Sequence, residues 1–196
     1  MLPEKTFLKM KNKYGDVGSW ALWKKEGDSP KSNMDAVDLF NIKKNPSFLK
    51  ILHNKSILVG LNFSRTALND TVFSNFHDPR PQSQDYKLRF ALEDTSLIGS
   101  YMTDIFKNEI EVSSSDFEKK IKKDKKIIQK HINFFIEEIN DLETTSPTLI
   151  YAFGNLTFEI LNKHLPIRNY SKIIKLTHYA HYINKEKYRE EVIKKI

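Results

Sequence analysis

Three nearly continuous apolar runs constrain the fold of this chain more than any other feature. They cover residues 56–62 (SILVGLN), 148–154 (TLIYAFG) and 172–178 (KIIKLTH). Short apolar runs without alternation are typical of parallel strands that are buried on both faces. Two further segments, residues 18–24 and 100–106, have the length and the flanking turn residues of strands. The sequence therefore predicts five strands.

Helical patterns separate the predicted strands. They cover residues 46–53, 84–95, 156–165 and 185–196, and a long stretch that begins near SSSDFE and ends near residue 142. Ser115 and Glu118 in that stretch have the spacing of a capping box. Alternating strands and helices predict an α/β fold, three-layer α/β/α with a mainly parallel central sheet. No internal repeat or linker interrupts the sequence, so we predict a single domain over residues 1–196.

Polar residues stand where the predicted strands end. They are Asn62, Asp104, Gly154 with Asn155, and His178. In parallel sheets ligands bind beyond the carboxyl ends of the strands, so we expect these residues to meet at one edge. The Asn62 amide has no useful pKa but can orient a water molecule, or it can simply end its strand by bonding backbone. His178 can donate a hydrogen bond to a leaving group, or it can be purely structural.

Asp104 and the loop SNFHDPRPQ (residues 74–82) leave similar alternatives open. A carboxylate inside an apolar strand needs a partner, which is either a ligand or a cation such as Lys107 or Arg89. Phe73 and Phe76 can stack on a planar ligand and Arg80 can bind a phosphate, or the phenylalanines can pin the loop to the core.

Lysine and arginine number 32 against 25 acidic residues, a net charge of +7 that favours nucleic acid or a phosphorylated ligand as partner. Seven of these lysines lie in residues 118–130, where they form either a solvated helix face or a phosphate contact.

The absence of cysteine excludes disulfides and thiolate chemistry and fits a cytoplasmic protein. No segment has the pattern of a signal peptide or a membrane span, so we expect a soluble chain. His178 and His181 lack a nearby carboxylate, so we predict no metal and no cofactor.

Taken in order, several short motifs resemble the uracil-DNA glycosylase superfamily, nearest its mismatch-specific uracil/thymine DNA glycosylase branch. VGLNFS (residues 59–64) is similar to that branch's first motif, and NFHDPRP to its phenylalanine-bearing loop. YMTDIFKNEIEVSSSDF, IYAFGNLTFEIL and KLTHYAHY resemble its middle strand, its later strand–helix unit and its histidine motif. The resemblance spans residues 57–189 and implies a uracil-DNA glycosylase-like fold.

The resemblance implies a partner, a reaction and residue roles. The partner is double-stranded DNA with a damaged or mismatched base, bound by a monomer that flips the base into a pocket. Asn62 would hold the attacking water and His178 would stabilise the departing base. The resemblance assigns base contacts to Gly60, Phe63, Phe76 and Asp104, and DNA contacts to Ser64, Arg80, Asn155, Tyr179, His181 and Tyr182.

Some residues depart from the family pattern. Phe63 and Ser64 replace a proline and a glycine of the first motif, and Tyr179 and Ala180 replace a proline and a serine of the second. Asp104 stands where related branches have a base-reading asparagine. Because an ionised carboxylate only accepts hydrogen bonds, this difference argues against uracil as the preferred base. An inactive DNA- or nucleotide-binding protein of the same fold is therefore the alternative. An enzyme acting on a phosphorylated metabolite is a third possibility, which the lack of a glycine-rich phosphate loop disfavours.

Overall fold

The computed structural model describes residues 1–24, 37–62, 71–80, 83–107, 109, 114–123, 125–145, 147–166 and 170–196. The strands in these ranges are β1 (Ser19–Trp20), β2 (His53–Asn62), β3 (Ser100–Phe106), β4 (Leu149–Phe153) and β5 (Lys172–Leu176). The α-helices are α1 (Glu4–Tyr14), α2 (Asp85–Leu92), α3 (Ser114–Lys123), α4 (Lys125–Asp141), α5 (Asn155–His164) and α6 (Lys185–Ile193). Two short 3-10 helices cover Val37–Phe40 and Pro46–Lys50.

The five strands form one mainly parallel sheet in the order β1-β3-β2-β4-β5. Only β1 runs antiparallel to its neighbour, β3; the pairs β2–β3, β2–β4 and β4–β5 are parallel. The chain passes from β2 outward to β3 and then returns across β2 to β4. The strand order therefore reverses between β2 and β4, which is the point where ligands bind in sheets of this kind.

Helices cover both faces of this sheet. On one face, α1, α4 and α5 contribute buried residues that include Phe7, Phe135 and Ile160. On the other face, α2 and α6 contribute Leu88, Leu92, Tyr188 and Val192. We call these the α4 face and the α2–α6 face. The arrangement is an α/β fold compatible with the predicted three layers. In the described ranges, no helix is long and apolar enough to cross a membrane.

All five predicted strands are confirmed, and β3 has the predicted bounds. The first strand is shorter than predicted, because only Ser19 and Trp20 pair with β3. The predicted helix over residues 46–53 is a 3-10 helix that ends at Lys50, since His53 already belongs to β2. The long helical stretch begins at Ser114, one residue before the predicted cap. Helix α1 was not predicted.

Candidate functional site

The strand register brings the predicted polar residues to one edge of the sheet. The last row shared by β2, β4 and β5 consists of Val59, Ala152 and Lys175. Asn62, Asn155 and His178 each follow that row by three residues. Because neighbouring strands lie about 4.8 Å apart, Asn62 and His178 belong to the same edge at a separation on the order of 10 Å across the sheet.

Gly60 allows the Asp104 carboxylate to lie directly against the backbone of β2. The two residues are register partners, and a Cβ atom at residue 60 would collide with Oδ1 of Asp104. Asp104 is 5% exposed, and its Oδ2 accepts a hydrogen bond from Nδ2 of Asn75 at 2.9 Å. Lys107, one of the cations considered from the sequence, donates instead to the backbone carbonyl of Asp104, at 2.8 Å. Sequence analysis missed Asn75, because its contact depends on the loop conformation.

Phe76 lies over Gly60 on the α2–α6 face. Its Cζ atom is 3.6 Å from the position of a Cβ at residue 60, and its ring centroid is 6.4 Å from those of Phe153 and Tyr179. The backbone φ of 63° at Phe76 is unusual for a bulky residue and turns the ring towards the sheet. Phe76 is only 4% exposed. A planar ligand therefore stacks on Phe76 only after one of the covering groups moves aside.

Phe73 has a different role from Phe76. It also has a positive φ, of 65°, but its ring packs on the α4 face with Phe7 and Trp20, where it is fully buried. Of the two alternatives for this residue, the structure supports the one in which it pins the loop to the core. The Phe73–Phe76 turn thus passes around the sheet edge and places one ring on each face.

His178 is held as a neutral imidazole. Its ring stacks on Tyr179, with centroids 4.6 Å apart and 20° between the planes, and meets Phe153 edge-on at 6.2 Å. Nδ1 accepts a hydrogen bond from the backbone N–H of Ala180 at 3.1 Å, so the proton of the neutral ring belongs on Nε2. Burial, with a smaller effect of His181, lowers the pKa of His178 to about 4. Nε2–H has no hydrogen-bond partner in the described part of the chain.

The Asn62 amide reaches across to a later segment. Its Nδ2 donates to the backbone carbonyl of Glu109 at 3.3 Å, which fixes the plane of the amide. The residues directly after Asn62, where the amide would end its strand by bonding backbone in the sequence alternative, lie outside the described residues. Phe63 and Ser64, to which base and DNA contacts were assigned, lie outside the described residues.

The residues after His178 form a turn that projects from the sheet edge. Backbone hydrogen bonds of 2.9 Å from His181 N to His178 O and 2.8 Å from Ile183 N to His181 O define it. Asn184 then caps α6 by accepting from Lys187 N. We call residues 178–184 the edge loop. Tyr182 in this loop is fully exposed, as expected for a residue that contacts a partner or only solvent.

Arg80 and Asn155, two other residues with predicted DNA contacts, differ in their surroundings. Arg80 donates from Nε and Nη2 to the carboxylate of Asp78 at 3.0 and 2.8 Å, while 54% of its side chain remains exposed. Asn155 is exposed and is the first residue of α5; it follows Gly154, whose backbone φ of 86° favours glycine. Arg80 can therefore reach a phosphate only in competition with Asp78.

The lysine-rich segment contains ion pairs on its exposed surface. Lys119 lies 2.9 Å from the Asp116 carboxylate and Lys120 contacts Glu109, while Ile121 is buried. These described residues fit a solvated helix face. No group of three or more His, Asp or Glu side chains in the described ranges could hold a metal ion.

Comparison of the chain with protein-family models, curated proteins and solved structures yields no match.

Proposed function

We propose that this chain is a monofunctional DNA glycosylase with a uracil-DNA glycosylase-like fold. It hydrolyses the N-glycosidic bond of a damaged or mismatched base flipped out of the duplex, with water as the nucleophile. One observation carries the proposal: a neutral histidine with its Nε2–H available stands at the same sheet edge as Asn62, next to the Gly60–Asp104–Phe76 group.

The chemistry follows from the charges that develop during bond cleavage. As the bond between the sugar and the base stretches, the sugar becomes cationic and the base becomes anionic. The electron pair of that bond leaves with the base, where the Nε2–H of His178 donates to the anionic atom. Because the ring is neutral near pH 7, it stabilises this charge without having to transfer a proton.

Asn62 positions the nucleophile. The Glu109 carbonyl holds its amide plane, and Oδ1 of the amide accepts a hydrogen bond from the attacking water. The water oxygen bonds to the anomeric carbon and its proton passes to solvent or to the departed base. An amide cannot remove a proton itself, so the rate enhancement depends on positioning and electrostatics.

Asp104 selects the base. Its carboxylate accepts from Asn75, and its Oδ1 lies against Gly60, as does the ring of Phe76. An ionised carboxylate attracts an exocyclic amine or a ring N–H and repels a carbonyl oxygen. We therefore expect bases that present a donor at this position to be preferred over uracil, and Asp104→Asn to shift that preference towards uracil.

A second candidate function is a catalytically inactive DNA- or nucleotide-binding protein of the same fold. The observation that favours it is the covered ring of Phe76, which is 4% exposed and leaves little open surface for a base. The same edge would then bind DNA without flipping a nucleotide.

Abasic-site formation on duplexes with uracil, hypoxanthine, xanthine and alkylated bases tests the proposal. Wild type should release at least one base, and Asn62→Ala or His178→Ala should each lower kcat by about 100-fold while Kd for DNA stays nearly constant. Asn162→Ala and His164→Ala on α5 serve as matched controls and should cleave normally.

The outcomes separate the two candidates. Normal cleavage by both site variants would show that Asn62 and His178 do not have the proposed roles. Tight binding of every duplex without release of any base would favour the inactive binding protein.

A further inference from the structure

An open groove of about 1020 Å³ lies next to the edge loop, on the side away from the sheet. The start of α2, the edge loop and the start of α6 form its walls. The lining residues that matter here are Tyr86, Lys87, His181, Tyr182, Lys185 and Glu186. The groove and the candidate catalytic site share the edge loop, because His178 begins the loop and His181 and Tyr182 line the groove.

Lys87 is the unusual residue of this groove. It is only 7% exposed, and its ammonium group donates to the backbone carbonyl of His181 at 3.2 Å. Burial lowers the pKa of Lys87. No carboxylate in the described ranges forms an ion pair with it. A buried charge normally has a charged partner, and an ammonium has three N–H donors of which one is used here.

The other charges of the groove nearly cancel. Lys185 Nζ lies 3.9 Å from Oε1 of Glu186 and over the ring of Phe90 at 5.1 Å. Lys87 is therefore the cation of this groove whose charge lacks a partner in the described structure. Exposed Tyr182 stands at the rim, where an extended ligand would pass.

We infer that this groove binds a phosphate of the DNA backbone through Lys87, on the strand next to the flipped nucleotide. This inference rests on the proposed DNA partner, but it does not require base excision. The shared chemistry is a phosphate oxygen, so inorganic phosphate is the competing source. The Lys87–His181 contact would then couple phosphate binding to the position of the edge loop and hence of His178.

The salt dependence of binding to an undamaged duplex tests this inference. Each phosphate contact contributes about 0.9 to the slope of log K against log salt, so Lys87→Met should reduce the slope by about that amount. The same relation gives an affinity loss of about eightfold at ~0.1 M salt. Lys87→Arg should keep the wild-type slope. Lys11→Met is the matched control, because Lys11 is an exposed lysine of α1, which packs on the opposite face of the sheet.

Each result decides the matter. An unchanged slope in folded Lys87→Met overturns the inference and leaves Lys87 as a clamp on the edge loop. If inorganic phosphate at fixed ionic strength binds wild type but not Lys87→Met, and the duplex slope is unchanged, the site takes free phosphate and the DNA assignment is wrong.

A second measurement does not depend on the variant. Acetylation of Lys87 in wild type, followed by mass spectrometry, should be slowed by duplex DNA, and equal labelling with and without DNA would contradict the inference.

A reduced slope in a chain that excises no base would contradict only the proposed enzyme activity. Excision with an unchanged slope would contradict only the role of Lys87.

Discussion

Gly60 is the residue at which the candidate site has the least room for change. The Asp104 carboxylate occupies the space of its missing side chain, and the Phe76 ring lies directly above. Because the neighbour is a carboxylate attached to an adjacent strand, it cannot move aside as a flexible side chain on the surface would. The absence of a Cβ at this position thus sets the distance between β2, the acid and the aromatic ring.

We expect Gly60→Ala to lower the free energy of unfolding by about 1–3 kcal/mol, the usual cost of an added group in a packed site. The proposed base excision should also be lost, because Asp104 and Phe76 are displaced. In an Asp104→Ala background the same change should cost less, since the colliding oxygen is gone. Urea unfolding of wild type, Gly60→Ala, Asp104→Ala and the double variant measures this coupling. An equal loss of unfolding free energy from Gly60→Ala in both backgrounds would show that the two residues are not in close contact.

At the same scale, sequence reasoning located Asn62, Asp104 and His178 because the ends of parallel strands necessarily share an edge. It did not locate Asn75 or Lys87. Asn75 reaches Asp104 only through a turn with two positive φ values, and Lys87 reaches the edge loop from a helix 94 residues earlier in the chain. Neither contact leaves a periodic or composition signal.

At the scale of elements, a buried acid joins α4 to β3. Glu138 is fully buried, and its Oε1 accepts from the Tyr101 hydroxyl at 2.7 Å and the Thr103 hydroxyl at 3.0 Å. Oε2 lies 2.6 Å from Nζ of Lys107, which also donates to the backbone carbonyl of Asp104. Burial, together with the charge of Glu138, raises the pKa of Tyr101 well above its usual value. The network therefore fixes the end of β3 that carries Asp104.

Glu138→Gln should destabilise the protein by about 3 kcal/mol, because it leaves the Lys107 ammonium buried without its anion. The neighbouring Glu137→Gln is a matched control: 61% of the Glu137 side chain is exposed, and its ion pair with Lys13 lies at the surface. Urea unfolding should show a lower midpoint for Glu138→Gln only. A double variant, Glu138→Leu with Lys107→Met, should be more stable than Glu138→Leu alone, and equal stability would rule out the buried pair as the cause.

Helix α1 shows where element prediction fails. Phe7 and Met10 are fully buried on the α4 face, but lysines and an exposed leucine surround them in the sequence. The docking of α1 also depends on distant partners, such as Asp141, which accepts from Lys13 and Tyr14. A prediction from the local sequence pattern cannot include contacts between residues that lie far apart in the chain.

At the scale of the whole molecule, histidines make stability depend on pH. Burial lowers the pKa values of His53, His131, His164 and His178, four of the six histidines in the chain. In the unfolded chain these groups titrate near pH 6.5, so below that pH the unfolded state binds more protons than the folded state. Their contribution to stability is therefore complete above about pH 6.5 and is lost as the pH falls towards the folded values, about 4 for His178.

We expect the urea midpoint to decrease steadily between pH 7 and pH 5. His178→Gln should make this decrease shallower, because glutamine does not titrate. Carboxylates affect stability mainly at lower pH, so this window reports on the histidines. A midpoint that is constant from pH 7 to pH 5 would show that these side chains are hydrated in the folded state.

The general fold could be predicted, while its topology could not. Three apolar runs identified β2, β4 and β5 because strands buried on both faces carry a strong local signal. The strand order and the antiparallel β1 depend on how helices pack over the sheet, and β1 contains only two paired residues. The sequence analysis therefore predicted which strands exist but not which of them are neighbours.

The two edge strands of the sheet, β1 and β5, are poor templates for aggregation. An edge strand exposes backbone groups that could pair with a strand from another copy, and proteins commonly prevent this pairing with lysine residues or with a short edge strand. Exposed Lys172 and Lys175 lie on β5, and β1 offers only Ser19 and Trp20. Copies stacked along β5 would bring like charges together, so growth into a fibre is opposed at each end of the sheet.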